Sequence, residues 1–319
     1  MNILVTGITG AGGSYLAEYI AEHHPEHKIF GLHRWHSATH LTNIKNIKDK
    51  VTLLESDLTD LSSVIRALNI SKPDRIFHVA AYANVRKCFD TPLSVINNNI
   101  MGTANLLEGV RICCPETTIQ ICSTSEVYGS PRETPITEEF PLNPVNPYSV
   151  SKLASEKLAV SYFHSYGIKV IITRAFSYIN PRRHDLVATS FALQVARVEK
   201  ELQDCVYHGN LESIRSFVDV RDIAEAYWIA SEKCEPATPY NIGGGNPYMV
   251  GMILSILKYK SNSLIVPIQD NNLIRPVDVT SQIPSTSKFY EATGWKPKYT
   301  LDESITWLLD ECRKVVNNG

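Results

Sequence analysis

Two short stretches carry residue types that could move protons side by side. Ser123-Thr124-Ser125-Glu126-Val127-Tyr128-Gly129 follows an apolar run, and Pro147-Tyr148-Ser149-Val150-Ser151-Lys152 opens a helical pattern. Tyr148 and Lys152 stand four apart, so on a helix their side chains share a face. An ammonium beside a phenol favours the phenolate and is expected to lower its pKa from about 10. Tyr148 could then take a proton from a hydroxyl while hydride leaves the same carbon. Glu126 reads either as a further acid–base group or as a carboxylate capping the following loop.

Hydride needs an acceptor, and the N-terminal segment is suited to hold one. Thr6-Gly7-Ile8-Thr9-Gly10-Ala11-Gly12-Gly13 follows the first apolar run and opens the first helical pattern. Small residues at Gly7, Thr9, Gly10, Gly12 and Gly13 let the backbone approach a pyrophosphate, which the helix N-terminus attracts. The second apolar run ends in Gly31-Leu32-His33-Arg34. No acid stands there to bind a ribose 2′-hydroxyl, and Arg34 matches a 2′-phosphate, so NADP is favoured over NAD. Asp57 and Leu58 could hold the adenine edge; Asp57 reads equally well as a helix N-cap. Ala80 and Ala81, in His78-Val79-Ala80-Ala81, let a dinucleotide lie across the strand tips.

These motifs need a scaffold. The 319 residues are 44% hydrophobic, 20% charged and 9% aromatic, with a net charge of −2, an ordinary globular balance that gives no grip on nucleic acid or an anionic membrane. No apolar run reaches the roughly 18 residues of a membrane helix, and the start lacks the basic end of a signal peptide, so a cytoplasmic protein is expected. The seven cysteines are scattered without a C-x-x-C pair, and the ten histidines lack a matching ligand set, so no metal is assigned. Apolar runs at 2–6, 28–32, 51–55, 75–79, 118–122 and 169–174 alternate with helical patterns at 14–21, 61–68, 92–111 and 148–166. That alternation predicts an α/β protein with a doubly wound parallel sheet. Further helices are expected at 188–201, 222–233, 249–259 and 302–315, in a region of longer loops. Residues 1–176, with about 215–241 returning to the sheet, are expected to form the dinucleotide domain; 177–214 and 242–319 form a smaller α/β domain for substrate. In the second half Asn180, Arg182, Arg183 and Arg215 are candidate phosphate or subunit contacts. Asn241-Ile242-Gly243-Gly244-Gly245 reads as a strand end with a turn, and Trp295 as packing.

Together these residues resemble the extended short-chain dehydrogenases/reductases that act on nucleotide sugars, with a Rossmann-like fold. Within them the chain is most similar to the GDP-mannose 4,6-dehydratase family. Gly13-Ser14-Tyr15-Leu16-Ala17-Glu18, Ser123-Thr124-Ser125-Glu126, Pro181-Arg182-Arg183, Gly209-Asn210-Leu211-Glu212 with Arg215, Arg275-Pro276 and Gly294-Trp295-Lys296-Pro297 carry the resemblance. It departs at Ser177, where the family usually has Asn, and at Asp278, where Glu is more usual. The resemblance implies a lyase in which C4 of a GDP-sugar is oxidised, with Tyr148 and Thr124 at the C4 oxygen. Glu126 takes the C5 proton, water leaves from C6, and hydride returns there. Lys152 holds the ribose, Ser125 assists proton delivery or holds Glu126, and Ser177, Asn210 and Arg275 join the substrate contacts. It also implies a homodimer or homotetramer, with an arm at Arg34-Trp35-His36-Ser37 reaching a neighbour. GDP-4-keto-6-deoxymannose reductases, epimerases and decarboxylases share parts of the pattern. A GDP-heptose remains open as substrate, and an NADP-binding regulatory protein is the reading without catalysis.

Overall fold

The structure, a computed structural model, describes residues 1–34, 41–274 and 279–317. The first half runs β1 (Asn2–Thr6), α1 (Ala11–His23), β2 (Lys28–His33), β3 (Val51–Glu55), α2 (Leu61–Ser71), β4 (Arg75–His78), α3 (Pro92–Ile96), α4 (Gly102–Cys113), β5 (Thr118–Thr124), α5 (Pro147–Tyr166) and β6 (Val170–Ala175). The second half contains β7 (Tyr178–Ile179), α6 (Val187–Glu199), β8 (Val206–His208), β9 (Ile214–Ser216), β10 (Val218–Asp219), α7 (Val220–Lys233) and β11 (Pro239–Ile242). It ends with β12 (Pro247–Met249), α8 (Val250–Lys260), β13 (Pro267–Gln269), β14 (Ser281–Gln282), α9 (Ser287–Thr293) and α10 (Leu301–Asn317).

Apolar, β-branched runs have no polar face to turn to water, so they need cover on both sides. They form a seven-stranded parallel sheet in the order β3-β2-β1-β4-β5-β6-β11. Side chains alternate between its faces. In β1, Ile3 and Val5 join the core under α1 and α7, while Leu4 joins the core under α2, α4 and α5. The strand order reverses between β1 and β4, which opens a crevice at their C-terminal ends.

The stretch expected as one helix over 92–111 is helical along its whole length, with one widened turn midway. A π turn at Asn97–Met101 separates α3 from α4. The cause is Asn99, whose side chain is drawn inward: Oδ1 accepts the Tyr82 N–H at 2.7 Å and Nδ2 donates to Ser151 Oγ at 2.9 Å. Its carbonyl also accepts from the Thr103 and Ser155 hydroxyls, which spreads the turn.

A second core joins α6, α8 and α10 through residues such as Phe191, Leu257 and Leu308. The division expected at 242 is not where the cores part. α9, which the periodicity did not suggest, packs on β11, and Phe289 and Trp295 enter the core that holds Trp228. None of the described helices is long and apolar enough to cross a membrane.

Candidate active site

One cavity of about 1360 Å³ lies over the strand ends, between the sheet and the second core. That exceeds the usual 300–1,000 Å³ of a single-ligand pocket and leaves space for two. The glycine turn lines one end. Gly7 has φ +66°, and a Cβ there would come within 2.9 Å of the Ala80 Cα. A Cβ on Gly13 would meet the Gly7 carbonyl oxygen at 2.4 Å. Only glycine lets the turn fold this tightly against β4. α1 then starts with Gly10 as its N-cap, which provides no side-chain cap, so the helix N-terminus is presented to the cavity. Thr9, Gly10, Gly12, Arg34, Asp57 and Leu58 line the same end, as do Ala80 and Ala81. Asp57 is not the helix cap it resembled. Its Oδ1 accepts from Thr59 N–H and Oγ1, while Asp60 caps α2.

β5 is buried from its second residue onward and delivers Thr124 to the cavity floor. Thr124 Oγ1 accepts the Glu126 N–H at 3.2 Å, which starts a 3-10 turn and turns Glu126 back toward α5. α5 opens with Asn146-Pro147, a strong start: Asn146 Oδ1 accepts the Ser149 N–H at 2.8 Å, and Ser149 Oγ accepts the Asn146 N–H at 3.2 Å. The free Nδ2 of this cap donates to Glu126 Oε2 at 3.2 Å. Asn146 therefore fixes the helix that carries Tyr148 and also holds Glu126. Asn146 was not singled out in the sequence; Asn before Pro was the local signal for a cap, and its grip on Glu126 required the fold. Thr124, Ser125, Glu126, Tyr148 and Lys152 all line the cavity.

The expected electrostatics need a correction. The Tyr148 phenol is pushed up, not down, because it is buried. The Arg183 charge and a hydrogen bond from Thr124 oppose that rise, while Tyr178 and Glu126 add to it. The cation that acts on Tyr148 is thus Arg183, from the loop after β7. Lys152 is fully enclosed, and burial pushes its pKa down against the pull of Cys122 and Glu156. Its charge acts on His78, which burial holds neutral with a pKa of about 3. His78 bridges Thr6 and Thr103 through its two ring nitrogens, each at 3.0 Å, and ties β1, β4 and α4 together below the site.

The substrate candidates separate into two groups. Ser177, Asn210, Arg183 and Arg215 line the cavity. Arg215 donates to the Val279 carbonyl at 2.6 Å, and Arg183 is paired with Asp185 at 3.0 Å. Asn180 is fully buried and does not line the cavity; its amide donates to the Ala11 carbonyl at 3.2 Å and accepts the Arg182 N–H. Arg182 lines the wall, but its guanidinium is committed to Glu18 at 2.8 Å and Ser14 at 2.9 Å, and it lies 3.9 Å over the Tyr15 ring. These two residues clamp α1 rather than reach for phosphate. Ser125 donates to Gln282 Oε1 at 3.1 Å, not to Glu126. Arg275, Pro276, Asp278 and the arm residues Trp35, His36 and Ser37 lie outside the described residues. Arg86, Lys87 and Asn43 line the cavity without any spacing that had marked them. Among the described residues one group has metal-ligand proximity, His24, Glu26 and His27, and it lies away from the cavity.

A parallel sheet with a glycine turn at its crevice and a Tyr–Lys pair on the adjoining wall defines a short-chain dehydrogenase/reductase of the extended type. The model of the GDP-mannose 4,6 dehydratase family matches residues 4–307, and the chain belongs to that family, a family of dehydratase enzymes. It is 30% identical to a GDP-mannose 4,6-dehydratase of Yersinia enterocolitica, over 94% of this chain and 90% of that one. It is 29% identical to a GDP-6-deoxy-D-mannose reductase of Pseudomonas aeruginosa, over 97% and 96%. Among solved structures, RMD from Pseudomonas aeruginosa complexed with NADPH superposes with a TM-score of 0.84 at 27% identity, covering 99% of this chain and all of that chain.

Proposed function

We propose that the protein is an NADP-dependent 4,6-dehydratase of a GDP-hexose, with GDP-mannose as substrate. One observation carries the reading: a carboxylate and a phenol share one wall. Glu126 stands close enough to Tyr148 for its charge to raise the phenol. Oxidation or reduction at C4 needs only the phenol; removal of a C5 proton needs a base as well.

The residues present fit a nicotinamide dinucleotide. The cradle at Gly7 and Gly13 and the N-terminus of α1 suit its pyrophosphate, and Arg34, which lines the same cavity, suits an adenosine 2′-phosphate. NADP is favoured because Gly31–Arg34 offers no acid for a free 2′-hydroxyl, and the similar RMD structure was solved with NADPH. Such a cofactor supplies reversible hydride transfer. Tyr148 takes the proton of the C4 hydroxyl once the Arg183 charge, the Thr124 hydrogen bond and the positive charge of an oxidised nicotinamide together offset the burial that holds the phenol neutral, and Thr124 hydrogen-bonds the same oxygen. The C4 ketone makes the C5 hydrogen acidic, and Glu126, held by Asn146, removes it. The C6 hydroxyl then leaves as water with the proton that Glu126 has taken, and C6 regains the hydride removed from C4 while C5 regains a proton. Lys152 holds the ribose. Ser177, Asn210, Arg183 and Arg215 face the nucleotide diphosphate. Exposed Leu93, Ile96 and Met101, together with exposed Val150 on α5, which packs against α3, offer apolar surface for a homodimer or for the dimers of a homotetramer.

The reductase relative favours a second reading, reduction of a GDP-4-keto-6-deoxy sugar. The Glu126→Gln variant separates the two. Under the dehydratase reading, wild type converts GDP-mannose to a product lighter by one water without added reductant. The variant stops after C4 oxidation, with reduced dinucleotide accumulating on the enzyme. Wild type inert toward GDP-mannose, with reduction of the keto sugar surviving in Glu126→Gln, would establish the reductase.

A further inference from the structure

We infer that Gln282 is a substrate-binding residue whose amide N–H donates to a sugar oxygen beside the reacting carbons. The assignment rests on the GDP-hexose reading above. Gln282 lies on β14, which pairs in parallel with β9 and sets Gln282 opposite Arg215. It thus joins the strand that carries a phosphate candidate to the catalytic turn. Its side chain is 2% exposed, and Oε1 accepts from Ser125 Oγ at 3.1 Å. Nε2 has no hydrogen-bond partner among the described residues. The other buried donors in that condition are the indoles of Trp228 and Trp295, and neither residue lines the large cavity. Gln282 does, together with Thr124, Ser125, Glu126 and Arg215.

Buried polar groups are almost always paired, because leaving one unpaired forfeits its hydration without return. An amide donor left over next to Thr124 and Glu126 is matched by a ligand that brings an acceptor. The hexose of a nucleotide sugar has hydroxyl oxygens at that end of the molecule, and the nucleotide end has none of this chemistry near Ser125. Acceptance of the Ser125 proton by Oε1 also fixes the amide plane, so the N–H direction is set before substrate arrives.

The test compares Gln282→Leu and Gln282→Glu with wild type. Both variants lose the N–H donor; the glutamate keeps an acceptor for Ser125. Three quantities are measured: KM and kcat for GDP-mannose, the inhibition constant of GDP, and the melting temperature. The assignment predicts that KM rises about tenfold or more in both variants, the loss expected for one buried hydrogen bond. GDP inhibition stays within about twofold, because GDP lacks the hexose; Gln282→Leu also strands the buried Ser125 hydroxyl and melts somewhat lower, so a melting loss without a loss of GDP inhibition is expected for that variant. Unchanged KM and kcat would overturn the assignment. So would a joint loss of GDP inhibition and thermal stability, which marks a purely structural link between β14 and β5. If wild type itself neither turns over GDP-mannose nor prefers it to GDP, the GDP-hexose reading falls, and this assignment falls with it.

Discussion

Tyr148→Phe is expected to abolish turnover while leaving the fold intact. The phenol is enclosed, and its ring packs beside Cys88 and Val95, contacts that phenylalanine retains. What the variant loses is the titratable hydroxyl that Thr124 hydrogen-bonds and that both Arg183 and Glu126 act on. A positioned acid–base group contributes about 10²–10⁴-fold, so turnover should fall by about three orders of magnitude or more. Dinucleotide binding and the melting temperature should stay near wild type. Removal of a phenol that burial and Glu126 both disfavour in its ionised form should not destabilise the folded chain. Retention of more than about a tenth of the activity would remove Tyr148 from the mechanism.

The largest stability effect is expected at Arg174. Its guanidinium donates to Glu156 Oε2 at 2.8 Å and to the Tyr128 hydroxyl at 2.8 Å. The pair is 4% and 3% exposed. Ser123 also donates to Glu156, and Tyr128 donates to Asn241 Oδ1 at 2.8 Å, so the network ties β5, α5, β6 and β11 directly behind Thr124 and Glu126. Arg174→Met leaves the Glu156 carboxylate buried without its counter-ion, at a cost of about 3–5 kcal/mol. Adding Glu156→Leu should recover much of that loss, because it removes the stranded charge rather than restoring the pair. Denaturant unfolding of the single and double variants measures this. A single variant within about 1 kcal/mol of wild type, or a double variant no better than the single, would contradict the account.

How far the sequence reaches is seen in particular residues. The strands of the sheet stood out because runs such as Ile3–Val5 and Val170–Ile172 are apolar without interruption, and burial on both faces leaves no other arrangement. The glycine turn and the Tyr148–Lys152 spacing are local, so their geometry follows from the strand and helix that carry them. The errors are long-range. Arg182 resembles a phosphate ligand by type, yet Glu18 and Tyr15 lie more than a hundred residues earlier and take its guanidinium. The Lys152 ammonium shares a helix face with Tyr148, but the cation from a distant loop, Arg183, acts on the phenol. The π turn at Asn97–Met101, within a helix the sequence did show, likewise depends on distant partners, because Tyr82 and Ser151 take the Asn99 amide. Gln282 belongs to a short polar stretch without a strand-like pattern, and only its pairing as β14 with β9 places it against Ser125.

The most direct test of the central claim is turnover of GDP-mannose by wild type in heavy water, without added reductant, followed by mass and NMR analysis of the product. Proton removal at C5 and return of the original hydride to C6 predict a product short of one water, with a single solvent deuterium at C5 and the C4 hydrogen of the substrate recovered at C6. Unchanged GDP-mannose, or a product with its C6 hydroxyl intact and deuterium nowhere on carbon, would show that Glu126 does not serve as the C5 base of a 4,6-dehydratase.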